Sequence, residues 1–212
     1  MGLLVTFEGP EGGGKTTQSR WLHRRLVGYG YEAVLTREPG GTTLGEAVRE
    51  WLLGLTNEAL APQAEALLHT AARAQHVACV IRPALDRGAI VVCDRFVDST
   101  LAYQGGGRGL DEQMLRALQD FATQGVWPDL TILLDVPVEV GLARRRASGE
   151  PLTRLDRESV AFHERVRAWY RMAAAREPER WQVVDGQQPA EDVANEVWNA
   201  VVARLTQRHL VR

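Results

Sequence analysis

Residues 9–16 read Gly-Pro-Glu-Gly-Gly-Gly-Lys-Thr, between an apolar run, Leu3–Phe7, and a segment with helical spacing, Ser19–Val27. A strand that enters a glycine-rich turn and leaves as a helix constrains the fold more than any other feature of the chain. All fixed positions of Gly-x-x-x-x-Gly-Lys-Ser/Thr are met. The glycines let successive backbone N–H groups point at one anion, and the helix start adds the positive end of its dipole. Lys15 is placed to reach the β- and γ-phosphates of a nucleoside triphosphate, and Thr16 to offer a hydroxyl to Mg²⁺. Gly9, Pro10, Glu11, Gly12, Gly13, Gly14, Lys15, Thr16 and Thr17 therefore form the candidate ATP-binding loop. Of 25 basic residues, 24 are Arg, and the single Lys is Lys15. A general preference for Arg accounts for the excess but not for where the one Lys survives, at a position that requires a compact ammonium.

The remaining chain repeats the alternation. Strand-length apolar runs occur at Ala33–Thr36, Ala89–Cys93, Leu130–Leu134 and Gln182–Val184. Helical patterns span Thr43–Leu53, Gln63–Arg87 (with an interruption expected at Pro83), Asp111–Gln124, Val138–Ala147, Arg157–Arg176 and Ala190–Leu210. Strands without polar alternation are buried on both faces, as in a parallel sheet covered by helices. The expected fold is α/β, a P-loop NTPase three-layer sandwich: about five parallel strands, helices on both faces, and ligands beyond the carboxyl ends of the strands. A single domain over 1–212 is expected, with a short polar lid at about 144–156 that includes SGEPLTRLD.

Composition narrows the function. No run approaches the ~20 apolar residues of a membrane span, and the N-terminus lacks the basic start and cleavage site of a signal peptide. A formal charge of −2 argues against a broad nucleic-acid-binding field. Cys79 and Cys93 have no metal-type spacing and suit a reducing cytoplasm. His76 has no matching ligand set, so no resident metal site is expected there. The Asn-Lys-x-Asp segment with which GTPases read guanine is impossible, since the only lysine is spent at 15. A motor ATPase would need more chain. A compact chain with an arginine-rich polar segment suits a small-molecule kinase, which must close over its phosphates to exclude water.

Three further segments sharpen this reading: TREPGGT at 36–42, VVCDRF at 91–96 and STLAYQGGGRG at 99–109. Together with FEGPEGGGKTT they resemble the bacterial thymidylate kinases, over about residue 3 to VVDGQQP at 183–189. The loop alone would be generic; the combination is specific. The resemblance implies transfer of the γ-phosphoryl group of ATP to dTMP, with Mg²⁺, in a cytoplasmic homodimer. It places Arg95 on the acceptor phosphate, where a forked guanidinium makes two bonds, and Asp94 at the magnesium ion or its waters. It gives Glu11 the sugar 3′-hydroxyl, Arg73 a thymine carbonyl, Ser99 and Thr100 the base, and Tyr103 the deoxyribose, with Gln104 on the same face. Arg37 and Arg49 join the acceptor site. Relatives commonly carry Phe where this chain has His69; an imidazole can still stack but buries less apolar area.

Two lid designs exist among such kinases, and a loop without Arg implies arginines supplied by the lid. Arg144, Arg145, Arg146 and Arg154 are available there, with Arg146 and Arg154 favoured as catalytic partners of Lys15 and Arg95. Arg144 and Arg145 serve equally well as helix C-terminal charges. Val77, Val80 and Leu118 suit either a dimer face or the protein's own core. Two other readings remain open: another nucleoside-monophosphate kinase, and a nucleotide-binding module without turnover.

Overall fold

The computed structural model describes residues 2–54, 59–208 and 210; parts of the 1–212 domain expectation lie outside them. Five strands carry the architecture: β1 (Leu3–Glu8), β2 (Ala33–Arg37), β3 (Ile90–Asp94), β4 (Leu130–Asp135) and β5 (Trp181–Asp185). All pairings are parallel, in the order β2-β3-β1-β4-β5. The glycine-rich turn at 9–14 therefore leaves the central strand, with β3 and β4 on either side. β1 is buried along its whole length, whereas the edge strands β2 and β5 are partly open to solvent.

The helices are α1 (Lys15–Gly28), α2 (Thr43–Leu53), α3 (Pro62–His76), α4 (Arg82–Asp86), α5 (Val97–Thr100), α6 (Glu112–Thr123), α7 (Val138–Ala147), α8 (Val160–Arg176) and α9 (Ala190–Gln207). One layer packs Leu22 and Leu26 of α1 and Val193, Val197 and Val201 of α9 on Leu3, Val5 and Phe7. The opposite layer packs Val77, Ile81 and Leu85 on Leu4, Val91 and Cys93. A third cluster joins Leu101 and Tyr103 to Phe162, Trp169 and Tyr170 of α8. Successive strand residues face opposite layers, so Glu8 shares its face with Leu4 and Thr6.

The helix expected over 63–87 is continuous but not uniform. A π-helical turn, Val77–Ile81, joins α3 to α4, and Pro83 sits at the start of α4, where a missing N–H costs least. A second π-helical segment, Leu101–Gly107, continues α5 and carries Tyr103 and Gln104.

Candidate active site

The loop geometry follows from its glycines. Gly12 has φ +68°, and a Cβ there would lie 2.0 Å from the Gly141 carbonyl oxygen of α7. Gly14, at φ +89°, turns the chain into α1. Lys15 bends back over the turn and donates to the Gly9 and Pro10 carbonyls at 2.9 and 2.6 Å. Burial first, then the like charge of Arg95, brings its ammonium down to about 8, against Glu11, Asp94 and Glu8. Thr16 Oγ1 donates to Asp94 Oδ2 at 2.5 Å, linking the start of α1 to the end of β3.

Arg95 follows directly, in a left-handed conformation at φ 69°. Its N–H donates to the Phe7 carbonyl at 3.0 Å. Its guanidinium donates to Glu11 Oε1 at 2.8 Å and to Tyr103 Oη and Ser99 Oγ at 3.2 Å each. Tyr103 in turn donates to Glu11 at 2.8 Å. Burial would raise the Glu11 carboxyl, but the charges of Arg95 and Lys15 and the Tyr103 bond overrule it and hold it at about 2. Burial dominates at Tyr103 and lifts its phenol well above the ordinary value, so it stays a donor. Residues far apart in sequence thus meet within hydrogen-bond reach beside the phosphate-binding turn.

These groups line a cleft of about 490 Å³, a size suited to a nucleotide. Arg37, Arg49, His69, Gln104, Arg144 and Arg145 line it too. Arg37 pairs with Glu46, and Arg49 donates to the Pro39 carbonyl at 3.1 Å. His69 is half-buried in the wall; burial, then Arg73, brings its imidazole down to about 4, so it is neutral at pH 7. Gln104 donates to Glu65 at 2.5 Å.

Other expected residues lie elsewhere. Arg73 is 1% exposed and spends its donors within the wall: on Glu38 at 2.7 Å, Thr100 at 2.9 Å, Gln119 at 2.5 Å and the Phe96 carbonyl at 2.9 Å. Thr100 is buried with it, behind the cleft. Arg154 donates to Glu65 of α3 at 2.5 Å and does not line the cleft, and Arg146 is exposed. Arg145, not this pair, faces the cleft, fastened to Asp156, Ser148 and the Pro151 carbonyl. Val77 belongs to the protein's own core.

The carboxylates that organise the wall are not among the residues that sequence spacing assigns to a ligand. Glu38 lies inside TREPGGT and joins Arg73 to His76. Glu65 is fully buried; its signal was the 65-69-73 spacing, which stacks three polar residues on one helix face. Glu8, also fully buried, ends an otherwise apolar strand, where an acid is out of place unless it is bonded. Burial, with Asp98, lifts its carboxyl to about 7 against the pull of Arg95, Ser99 and Tyr170.

Thr16 Oγ1 and Asp94 Oδ2 present two hard oxygen atoms side by side, the donor type that magnesium takes.

A family model for thymidylate kinase matches residues 7–197. The chain is 65% identical over 201 residues to a thymidylate kinase of Thermomicrobium roseum, covering 95% of each chain. It is 51% identical to a thymidylate kinase of Pseudomonas putida strain GB-1, covering 98% of each. The crystal structure of thymidylate kinase from Ehrlichia chaffeensis superposes with a TM-score of 0.77 at 35% identity, over 94% of this chain and 98% of that one. A parallel five-stranded sheet, a glycine-rich turn with a buried lysine at the end of its central strand and likeness along nearly the whole length lead to one conclusion: the chain belongs to the thymidylate kinase family of nucleoside-monophosphate kinases.

Proposed function

We propose that the protein transfers the γ-phosphoryl group of ATP to the 5′-phosphate of dTMP. The observation that carries this reading is the meeting of Arg95, Glu11 and Tyr103 beside the Lys15 turn, in one cleft. The loop amides and Lys15 hold the β- and γ-phosphates of the donor. Arg95 holds the acceptor phosphate, exchanging its bond to Glu11 for bonds to phosphate oxygens. Glu11, held ionised, then accepts from the 3′-hydroxyl, and Tyr103 packs on the deoxyribose. Ser99, Gln104 and His69 form the wall toward the base. Thr100 and Arg73 support that wall from behind, and a base contact by Arg73 requires it to give up a wall bond. Arg37 and Arg49 add positive charge at the rim.

An acceptor phosphate oxygen attacks the γ-phosphorus, the bond from the γ-phosphorus to the β–γ bridging oxygen breaks, and ADP and dTDP leave. The nucleophile is already an anion, so no side chain need remove a proton; positioning and charge stabilisation supply the rate. A magnesium ion held through Thr16 and Asp94, when bound, neutralises phosphate charge. Lid arginines, among them Arg154 and Arg146, close over the equatorial oxygens. We further read the chain as one domain whose lid spans about 144–156.

Leu67 of α3 and Met114 and Phe121 of α6 are exposed, Phe121 at 82%. These two helices pack side by side, and such a surface suits a second copy of the chain. Both cysteines are free thiols, in keeping with a reducing cytoplasm.

A coupled assay offering dTMP, dUMP, dCMP and AMP tests the activity. ADP release dependent on dTMP is expected, and none with any acceptor would make the protein a nucleotide-binding module. Light scattering on the purified protein tests the dimer.

A further inference from the structure

Arg95 is an arginine in a conformation that side chains other than glycine rarely adopt, and something must hold it there. Its own N–H is taken by the Phe7 carbonyl at 3.0 Å. The next N–H, that of Phe96, donates to Glu8 Oε1 at 2.8 Å. The carboxylate at the end of the central strand therefore clamps the turn at the residue that follows Arg95. Glu8 Oε2 accepts from Ser99 Oγ at 2.6 Å and from the Tyr170 hydroxyl at 2.8 Å. Ser99 has a single hydroxyl proton. Given to Glu8, it leaves only lone pairs toward Arg95 Nη1, which donates to Ser99 Oγ at 3.2 Å. One buried carboxylate thus sets both the backbone turn that launches Arg95 and the polarity of the hydroxyl that receives its guanidinium.

We propose that Glu8 is the positioning residue for the acceptor phosphate: it touches no substrate and acts by holding Arg95 through the Phe96 N–H and the Ser99 hydroxyl. This rests on the reading of Arg95 as the ligand of that phosphate. Glutamate is required at this position for its acceptor-only head group and for its length. In its ionised form the side chain has no proton of its own, so it can take the backbone N–H and both hydroxyl protons at once. Glutamine would turn its NH₂ toward the Ser99 and Tyr170 hydroxyls or the Phe96 N–H, and would reverse at least one bond. Aspartate keeps the charge but is one methylene too short to span the same partners.

The test separates phosphate binding from nucleoside binding. Calorimetric Kd values are measured for dTMP and for thymidine, which lacks the phosphate, on wild type, Glu8→Gln, Glu8→Asp, Ser99→Ala, Arg95→Ala and the double variant Glu8→Gln/Arg95→Ala. Ser99→Ala cuts the same relay from the cleft side and leaves the core residue in place. Glu8→Gln and Glu8→Asp are expected to weaken dTMP about ten- to a hundredfold, as small misplacements of a positioned group do. Thymidine should stay within about twofold, and Glu8→Gln should add nothing in the Arg95→Ala background. Equal weakening of both ligands, or full additivity with Arg95→Ala, would mean general damage and overturn the proposal. Unchanged dTMP affinity in Glu8→Gln and Ser99→Ala together would also overturn it. If Arg95→Ala itself binds dTMP like wild type, the assignment of Arg95 fails, and the role of Glu8 with it.

Discussion

Arg154 donates to the fully buried carboxylate of Glu65 across 2.5 Å, and the same carboxylate accepts from Gln104 of the cleft wall, also at 2.5 Å. One acid on α3 therefore holds both the polar segment that carries Arg154 and the cleft wall at Gln104. Arg154 is further tied to the Leu52 carbonyl at 3.3 Å. To reach a phosphate it must leave these partners, and Glu65 is not stranded when it does, since Gln104 and Arg108 remain.

Arg154→Ala is accordingly expected to lower kcat about 10³-fold while the fold persists, as loss of a charge-stabilising arginine does in phosphoryl transfer. Steady-state kinetics with dTMP and ATP measure it. A kcat close to wild type would leave Arg154 as a strut of the lid and transfer the role to Arg145, which already faces the cleft.

The Thr16–Asp94 bond joins the first turn of α1 to the end of β3. Asp94→Asn keeps the shape and removes the charge. The magnesium concentration for half-maximal activity should then rise about tenfold or more, the usual cost of losing a supporting carboxylate at a metal. A magnesium titration with an unshifted midpoint would place Asp94 outside the metal's surroundings.

Lys15 carries a pH signature. Burial, first, lowers it to about 8 from an ordinary value of 10.5. Between those values the unfolded chain holds the extra proton, so this group makes stability rise with pH. Below 8 both states are charged and the full penalty stands. Ligand-free Lys15→Met should therefore be more stable than wild type below pH 8, with the gap in melting temperature closing toward pH 10.5. A gap that does not change with pH contradicts the depressed ammonium. In the kinetic assay the same variant should lose turnover by orders of magnitude.

Arg73 and Glu38 form a buried ion pair at 2.7 Å, with side chains 1% and 5% exposed. Arg73→Ala would strand the carboxylate beside His76 and leave Thr100 and Gln119 without their donor. Removing one partner of a buried pair costs about 3–5 kcal/mol, and urea unfolding should show a loss of that size. A loss below about 1 kcal/mol, the scale of an exposed pair, would mean that the wall network rearranges around the gap.

Much of the molecule was readable in the one-dimensional pattern. The phosphate turn is local: its glycines, its lysine and the dipole of the following helix are all supplied within a few residues, so spacing alone carries the chemistry. The parallel sheet was legible for a related reason, because strands buried on both faces have no polar alternation. Hydrophobic spacing also placed the helix through 63–87, but not its π-helical turn at Val77–Ile81.

Partner choice was another matter. Arg73, Arg154 and Glu8 each have neighbours 27 to 162 residues away along the chain, and no local pattern ranks those partners. An arginine named for a substrate contact can equally satisfy a buried carboxylate, as Arg73 does with Glu38. Which of the two prevails is set by desolvation: a charge folded into the wall must find its counter-charge there, while one at the cleft surface stays free for a ligand. The turn's chemistry is written in sequence spacing, whereas the identity of the buried acids and of the arginines they hold emerges only when distant segments close around one another and exclude water.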